Sequence, residues 1–450
     1  MKRILLFVSF CGVLITTGSA FALDVNILRF TVAKEAQVRE LSGSLTNKIP
    51  AVIWSFFDAV KVDDYQTATN LSAQIDRASG RYTNSALNAM SPALATLIWP
   101  AISEVIGAYE EFHDLGDKWS HRFTSEVIGS IPKGSIYFGG TDAGRFLVSA
   151  FSESQRDGRP FFTLTQNQLA DGTYTEYLRN MYGDKIHMLS QDDSQKTFND
   201  YYEDFKIRYR EGKLKPGEHA DLRADGMVQM SGRTAVMGIN GLMVKMIVEK
   251  NPGREFYLEE SDAIDWMYPN LSPYGMIMKL SPHPLSDLPE PEMQKDEAYW
   301  KRFTGELIGD WITDKTSTKE LCDFVDKVYL KKDRSDFKGS VDFLQTEEAQ
   351  EQFSKLCLAH AGLYAWRAAH ATDAGEKARM QKEAELDYRR SFALCPHVAI
   401  PMENYAHFLM PLNRYDEALT LAQTTLRLST ADSPWQSEIL DLIHTIRKAQ

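Results

Sequence analysis

Hydrophobic residues recur at helical spacing over the first part of the chain, residues 23–131. They fall three and four positions apart in four segments, which predicts helices at Ala33–Leu41, Ile53–Val60, Tyr65–Ile75 and Ala93–Tyr109. Short polar breaks separate these segments. This arrangement is typical of helices that pack as antiparallel pairs.

The pattern changes at Pro132, where short apolar runs begin to alternate with amphipathic segments. The runs predict strands at residues 134–138, 161–165, 185–189, 227–230, 254–259 and 275–280, with helices between them. Such alternation is typical of an α/β layer whose strands are at least partly parallel. We therefore predict an α/β domain over residues 132–281, with a small mixed or parallel sheet and flanking helices.

The last part of the chain is helical again. Four prolines within 282–291 predict a linker, and residues 282–345 connect the α/β domain to a helical domain over 346–450. In that domain one small and two bulky apolar residues recur 34 positions apart: Ala384, Phe392 and Leu394, then Ala418, Leu426 and Leu428. This period predicts tetratricopeptide-like hairpins. An unrelated helical hairpin is the alternative.

The first 22 residues have the pattern of a signal peptide. Lys2 and Arg3 precede an apolar stretch over 4–15, and Ala20-Phe21-Ala22 is typical of a cleavage site. The protein is therefore predicted to be exported, to the periplasm or the extracellular space, with an uncleaved membrane anchor as the alternative. No later stretch is apolar enough to span a membrane.

The overall charge argues against a nucleic-acid partner. The chain has 62 acidic and 50 basic residues and a formal net charge of −12. Binding to nucleic acid depends on neutralising phosphates, for which an acidic surface is poorly suited.

The clearest local signal for a binding site is a glycine turn between the first predicted strand and a helix. Gly139 and Gly140 permit close backbone approach, and amides at a helix N-terminus can bind an anion. Thr141 or Asp142 is expected to cap the helix, and Arg145 could meet an anionic group. Capping and turning alone are the alternative role of this segment.

A second polar turn follows the next predicted strand. Gln166, Asn167 and Asp171 leave its carboxyl end, and they reach the edge of the glycine turn if the two strands are parallel neighbours. Ligands of open α/β sheets bind at that edge. We therefore predict a ligand site that combines both turns, with loop capping as the alternative.

The sequence contains no motif for catalysis, a cofactor or a metal. The glycine turn lacks the Lys and Ser/Thr of a phosphate-binding loop and does not match the dinucleotide fingerprint. The histidines have no metal-ligand spacing. Cys322, Cys357 and Cys395 are widely spaced, which leaves open one disulfide or three buried thiols. No cofactor and no metal are predicted.

The α/β region resembles the soluble region that follows the transmembrane part of bacterial protein O-mannosyltransferase-like proteins. The resemblance covers residues 131–280 and rests on the Gly139–Asp142 turn, the strand Phe161–Thr165 and the segment Trp266–Leu280. It implies a stand-alone, exported relative of an accessory domain, since the multi-span transferase portion is absent from this sequence. The chain is also similar to exported bacterial proteins that contain tetratricopeptide repeats.

These observations favour an exported, non-enzymatic binding or scaffold protein whose C-terminal repeats bind a protein or peptide. Two alternatives use a cleft at the Gly139-Gly140 turn. One is an enzyme or accessory subunit that acts on glycans, and the other is a sensor of a glycan, a small anion or another small ligand.

Overall fold

The structure, a computed structural model, describes residues 23–76, 90–152, 154, 157–223, 226–259, 264–429 and 433–450. The predicted signal peptide, residues 1–22, lies outside this range. None of the helices in the described ranges is long and apolar enough to cross a membrane.

The N-terminal region consists of helices, as the spacing predicts: α1 (Val25–Ser42), α2 (Ala51–Lys61), α3 (Tyr65–Asp76) and α4 (Pro92–Ser130). The carboxylate of Asp24 caps α1 by accepting from the amide of Asn26. The predicted end of the fourth helix at Tyr109 is wrong. Its buried apolar face continues to Ser130, with one break at Gly116, where φ is 74°.

In the described part of this region seven short strands follow: β1 (Ile136–Gly139), β2 (Phe162–Thr165), β3 (His219–Leu222), β4 (Val228–Ser231), β5 (Phe256–Glu259), β6 (Leu271–Tyr274) and β7 (Ile277–Leu280). Five of them form a mixed sheet in the order β2-β1-β5-β7-β6. β2, β1 and β5 are parallel, whereas β7 runs antiparallel to β5 and β6. The predicted mixed α/β layer is thus confirmed.

The parallel strands place three chain segments at one edge of the sheet. From β1 the chain crosses to β2 on one side, and it later returns to β5 on the other side. Gly139 at the end of β1 therefore lies between Thr165 and Glu259. Such a reversal of strand order opens a crevice at the carboxyl ends of the strands.

The strand predictions differ from the structure outside β1, β2, β5 and β7. Residues 185–189 do not form a strand, because the side chain of Asn251 bonds both the amide and the carbonyl of His187, at 2.7 and 2.9 Å, in place of a neighbouring strand. The strand predicted at 227–230 is present as β4, but it pairs only with β3, which was not predicted, in a hairpin outside the main sheet. The strand β6 was not predicted, because Pro273 and the preceding aromatic residues obscure it.

Helices flank the sheet. A short helical segment, Ala143–Leu147, continues into α5 (Val148–Ser152), and α6 (Gly172–Tyr182), α7 (Gln191–Arg210) and α8 (Arg233–Lys250) follow. Asp171 caps α6 by accepting from the amide of Thr173 at 2.8 Å.

The C-terminal part is helical: α9 (Glu290–Ile308), α10 (Thr318–Val325), α11 (Glu347–His370), α12 (Ala374–Leu394), α13 (Ala399–Leu409), α14 (Tyr415–Leu428) and α15 (Gln436–Ala449). α11 and α12 form a long hairpin, and α13 and α14 form a shorter one. α11 also packs against α4 and β6. The buried apolar side chains of all these regions form one continuous core.

Candidate functional site

The glycine turn closes tightly over the end of β1. Thr141 caps the following helical segment, since its hydroxyl accepts from the amide of Gly144 at 3.0 Å and its carbonyl accepts from Arg145 at 3.0 Å. Asp142 makes no capping hydrogen bond. A Cβ atom at Gly139 would lie 2.7 Å from the carbonyl oxygen of Gly144, so this approach requires glycine at 139.

The two backbone amides of the turn already bind an anionic group of the protein itself. Oε2 of Glu259 accepts from the amides of Gly140 and Thr141 at 3.2 and 3.1 Å, and Oε1 accepts from the Thr141 hydroxyl at 2.7 Å. Glu259 is 1% exposed, and burial raises the pKa of its carboxyl group. The amides that were predicted to face an anionic ligand therefore face the carboxyl group at the end of β5.

A residue from the C-terminal helices completes this contact. Nε2 of Gln352, on α11, donates to the Thr141 hydroxyl oxygen at 2.7 Å and lies 3.4 Å from Oε1 of Glu259. Sequence reasoning missed Gln352, which is 211 positions from Thr141. For Glu259 a usable signal existed, because this carboxylate ends a buried strand.

Arg145 links the two predicted turns. Its guanidinium pairs with the carboxylate of Asp142, lies 4.2 Å from the centre of the Phe146 ring, and donates to Oδ1 of Asn167 at 3.4 Å. The Asp142 side chain is 59% exposed. The glycine turn and the turn after β2 are therefore neighbours, as the parallel strand order requires.

The predicted site residues fall into two groups. Gly140, Thr141, Asp142 and Asn167 line one cavity of about 420 Å³. The others lie outside its lining: Gly139 ends β1, Arg145 bridges the turns, Gln166 is fully buried, and Asp171 caps α6. Within the described chain, neither amide atom of Gln166 has a hydrogen-bond partner.

The cavity lies between the edge of the sheet and four helices. α4 contributes Glu111, α8 contributes Arg233 and Met237, and α13 contributes Ile400. One face of α11 supplies Glu348, Gln352, Lys355 and Leu358. The cleft is thus built jointly by the α/β layer, the N-terminal helices and the C-terminal hairpins.

Two carboxyl groups in this cleft are uncompensated. Glu111 and Glu348 are half-buried, and neither has a hydrogen-bond or ion-pair partner in the part of the chain that the structure describes. Burial raises the pKa of Glu111 to about 8, and the charges of Asp142 and Glu348 add to the shift. Burial likewise raises the pKa of Glu348. Perturbed acids in a cleft are typical of functional sites.

Lys355, on α11, is a basic residue of the cleft that acts on both acids. Its charge opposes the rise in the pKa of both Glu111 and Glu348. However, its ammonium group also lies 3.4 Å from a carboxylate oxygen of Glu351 on the same helix. The cleft therefore keeps an excess of acidic groups.

A second cavity, of about 350 Å³, lies between α1 and α6. The ammonium group of Lys34 faces it, 2.5 Å from Oε2 of Glu104, and donates to Tyr177 at 2.7 Å and to Gln37 at 3.3 Å. These contacts occupy the three donors of the ammonium group. We interpret this cluster as a structural ion pair beneath the cavity.

The described residues offer little for a metal or a covalent intermediate. Across the described ranges, one group brings three ligand atoms within 4.8 Å, namely Asp24, Asp117 and His121, and Asp24 already caps α1. The three cysteines are free and buried. Burial raises the pKa of Cys322 to about 11 and holds the pKa values of Cys357 and Cys395 well above the usual range, which disfavours the reactive thiolate.

Comparison of the chain with protein-family models, curated proteins and solved structures finds no match. The resemblances to the O-mannosyltransferase-like and tetratricopeptide-containing proteins therefore stay predictions.

Proposed function

We propose that this protein binds a small amine-bearing ligand, without chemical turnover, in the cleft between the glycine turn and α11. The observation that carries the proposal is the pair of half-buried, unpartnered carboxyl groups of Glu111 and Glu348, which face one cavity in the described structure. Buried polar groups normally have a partner, and a ligand that donates hydrogen bonds would supply it.

An ammonium group suits this cleft better than a neutral or anionic group. Burial is the main cause of the raised pKa values of Glu111 and Glu348, and the charges of neighbouring carboxylates add to them. A bound cation would offset both effects and draw the proton off Glu111, so the carboxyl groups would meet the ammonium group as carboxylates. Met237, Leu358 and Ile400 supply an apolar surface for the carbon chain of such a ligand. The cavity volume falls in the range of about 300–1,000 Å³ that is typical of small-molecule sites.

A glycan or a small anion fits less well. Glu259 occupies the backbone amides that would bind an anion. None of the described residues that line the cavity is aromatic, so a sugar ring would have no stacking surface there. A glycan-active enzyme is accordingly the weaker alternative.

Partner binding by the C-terminal helices is a second proposal. Tetratricopeptide-like character is supported by Ala384 and Ala418, which are both fully buried at matching positions of α12 and α14. The neighbouring helices α11 and α13 line the cleft through Lys355 and Ile400. A peptide with a free amino group or a lysine would reach the same acidic groups. The proposal that the protein is exported is supported by the signal-peptide pattern in residues 1–22.

Calorimetric titration with three matched four-carbon probes tests the leading proposal. Butanediamine is expected to bind at one site per chain at physiological salt, where surface charge is largely screened. Butanediol and succinate are expected not to bind. Binding of butanediol alone would favour a hydroxyl-rich ligand, and binding of succinate alone would contradict the proposal.

A further inference from the structure

Four ionisable side chains meet in the core where α9, α11 and α12 join. Asp296, His360, Asp387 and Arg390 are each at most 4% exposed. Nδ1 of His360 lies 3.0 Å from Oδ1 of Asp296, and Arg390 donates to Oδ1 of Asp387 at 2.9 Å. The Tyr364 hydroxyl donates to the other oxygen of Asp296 at 2.7 Å. None of these four residues lines the cleft that holds Glu111 and Glu348.

Further groups face the cluster from each of the three helices. The ring of Trp300, on α9, lies edge-on to His360 with centres 5.3 Å apart, and the thiol of Cys357, on α11, contacts the carbonyl of Asp387. Glu297 of α9 and Glu383 of α12 lie nearer the surface and add negative charge. From the sheet side, the carbonyl of Met276 faces the imidazole of His360.

Burial raises the pKa of Asp387 to about 7, and once both carboxyl groups are ionised the charges balance only when the imidazole holds a proton. Two carboxylates require two positive charges, and Arg390 supplies one of them. The other is the imidazolium of His360. If this proton leaves, one net negative charge stays in a core without access to water, which is strongly unfavourable.

The contact between His360 and Asp296 depends on charge more than on hydrogen-bond geometry. Although their nearest atoms are 3.0 Å apart, neither ring nitrogen of His360 nor Oδ1 of Asp296 has an aligned hydrogen-bond partner in the described chain. Neutralising the imidazole would therefore remove most of the attraction across this junction.

We propose that this cluster is a proton-operated latch that holds α9 against α11 and α12. While the proton is bound the junction stays closed, and when the proton leaves the junction opens locally. Burial alone would lower the pKa of His360, but the charge of Asp296 and then Asp387 raise it above its usual value, so the proton is kept toward neutral pH. The stabilisation is present below the ordinary histidine pKa and is lost as the pH rises through the higher folded value.

Hydrogen exchange of the full chain, measured by mass spectrometry from mildly acidic to mildly alkaline pH, tests the latch. After correction for the intrinsic exchange rate, the opened population of α9, α11 and α12 should grow about tenfold for each pH unit above the His360 titration. Exchange in α1 and α2 should rise less steeply, only as far as the titration of Glu111 lowers the global stability. Equal behaviour of the two regions would overturn the proposal.

A pair of variants separates the latch from a general effect of pH. The double variant His360→Gln with Asp296→Asn keeps the side-chain sizes but removes the titrating pair, so the pH dependence of exchange in α9, α11 and α12 should fall to that of α1 and α2. His113→Gln, a half-buried histidine bonded to Asp63, should behave like the unmodified protein. If the double variant keeps the original pH dependence, the latch is not at this cluster. If the double variant fails to fold, the comparison of α9, α11 and α12 with α1 and α2 in the unmodified protein tests the proposal by itself.

Discussion

Nε2 of Gln352 lies 2.7 Å from the hydroxyl oxygen of Thr141, so a side chain of α11 binds directly to the glycine turn of the α/β layer. The same hydroxyl donates to Glu259 and accepts from the amide of Gly144. Thr141 therefore joins α11, the end of β5 and the helical segment after β1 through hydrogen bonds, and the shape of the cleft depends on these bonds.

Replacing Thr141 by valine should destabilise the protein. The substitution keeps the shape of the side chain but removes the donor to Glu259 and the acceptor for Gly144. Loss of a buried hydrogen bond to a charged group costs about 1.5–3 kcal/mol. The free energy of unfolding in urea measures this. Thr141→Ser keeps the hydroxyl and should lose much less, and equal stability of the two variants would contradict the role of this oxygen.

Alanine at Gly144 should disrupt the Glu259 contact. A Cβ atom there would lie 1.7 Å from Oε2 of Glu259, so the carboxyl group would have to move off the turn amides. Overpacking of a buried position typically costs about 1–3 kcal/mol. The matched control is Gly129→Ala in α4, where a Cβ meets nothing within 4 Å. Thermal unfolding should show a loss only for the change at Gly144.

The stability of the protein should fall as the pH rises from about 5 to 8. The folded pKa of Glu111, about 8, lies above its ordinary value of 4.5, so between these values the folded chain holds a proton that the unfolded chain has lost. The stability then decreases with pH. Glu111→Gln removes this contribution, so the variant should show a shallower fall and a higher unfolding midpoint near pH 8. An unchanged pH profile would show that Glu111 is not protonated in the folded state.

Lys34 and Glu104 should behave as a coupled pair. Lys34→Met leaves the carboxylate of Glu104 buried without its cation, and breaking a buried ion pair on one side costs about 3–5 kcal/mol. Adding Glu104→Leu should recover most of that loss, because two apolar residues can replace a buried pair. Chemical denaturation of the single and double variants measures the coupling. Additive losses would contradict the pairing.

Local sequence patterns predicted the parts of the fold in which one face of an element is apolar. The helices of residues 25–76 and the helices after residue 290 belong to this class, whereas β1 is buried on both faces and was predictable as a continuous apolar run before the glycine turn. The stretch at 185–189 is apolar enough to read as a strand, yet the Asn251 side chain satisfies its backbone. That contact depends on tertiary structure and leaves no local signal.

The candidate site was predictable only in part for the same reason. The glycine turn and Asn167 follow from strand order, because the carboxyl ends of parallel strands share an edge. Glu111, Gln352 and Glu348 come from helices far away in sequence and reach the cleft through packing. A periodic pattern shows which face of a helix is apolar, but it does not show what the polar residues beside that face will meet.

The central claim is that Glu111 and Glu348 bind an ammonium group in the cleft. It is tested most directly by the affinity for butanediamine of two double variants with the same net charge. Glu111→Gln with Glu348→Gln removes the cleft carboxylates, whereas Glu203→Gln with Glu211→Gln removes two exposed ones on and beside α7. We expect the first double variant to bind butanediamine about tenfold or more weakly, equivalent to about 1.4 kcal/mol. The second double variant should bind it with nearly unchanged affinity. Equal losses in the two variants, or no loss in the first, would contradict the account.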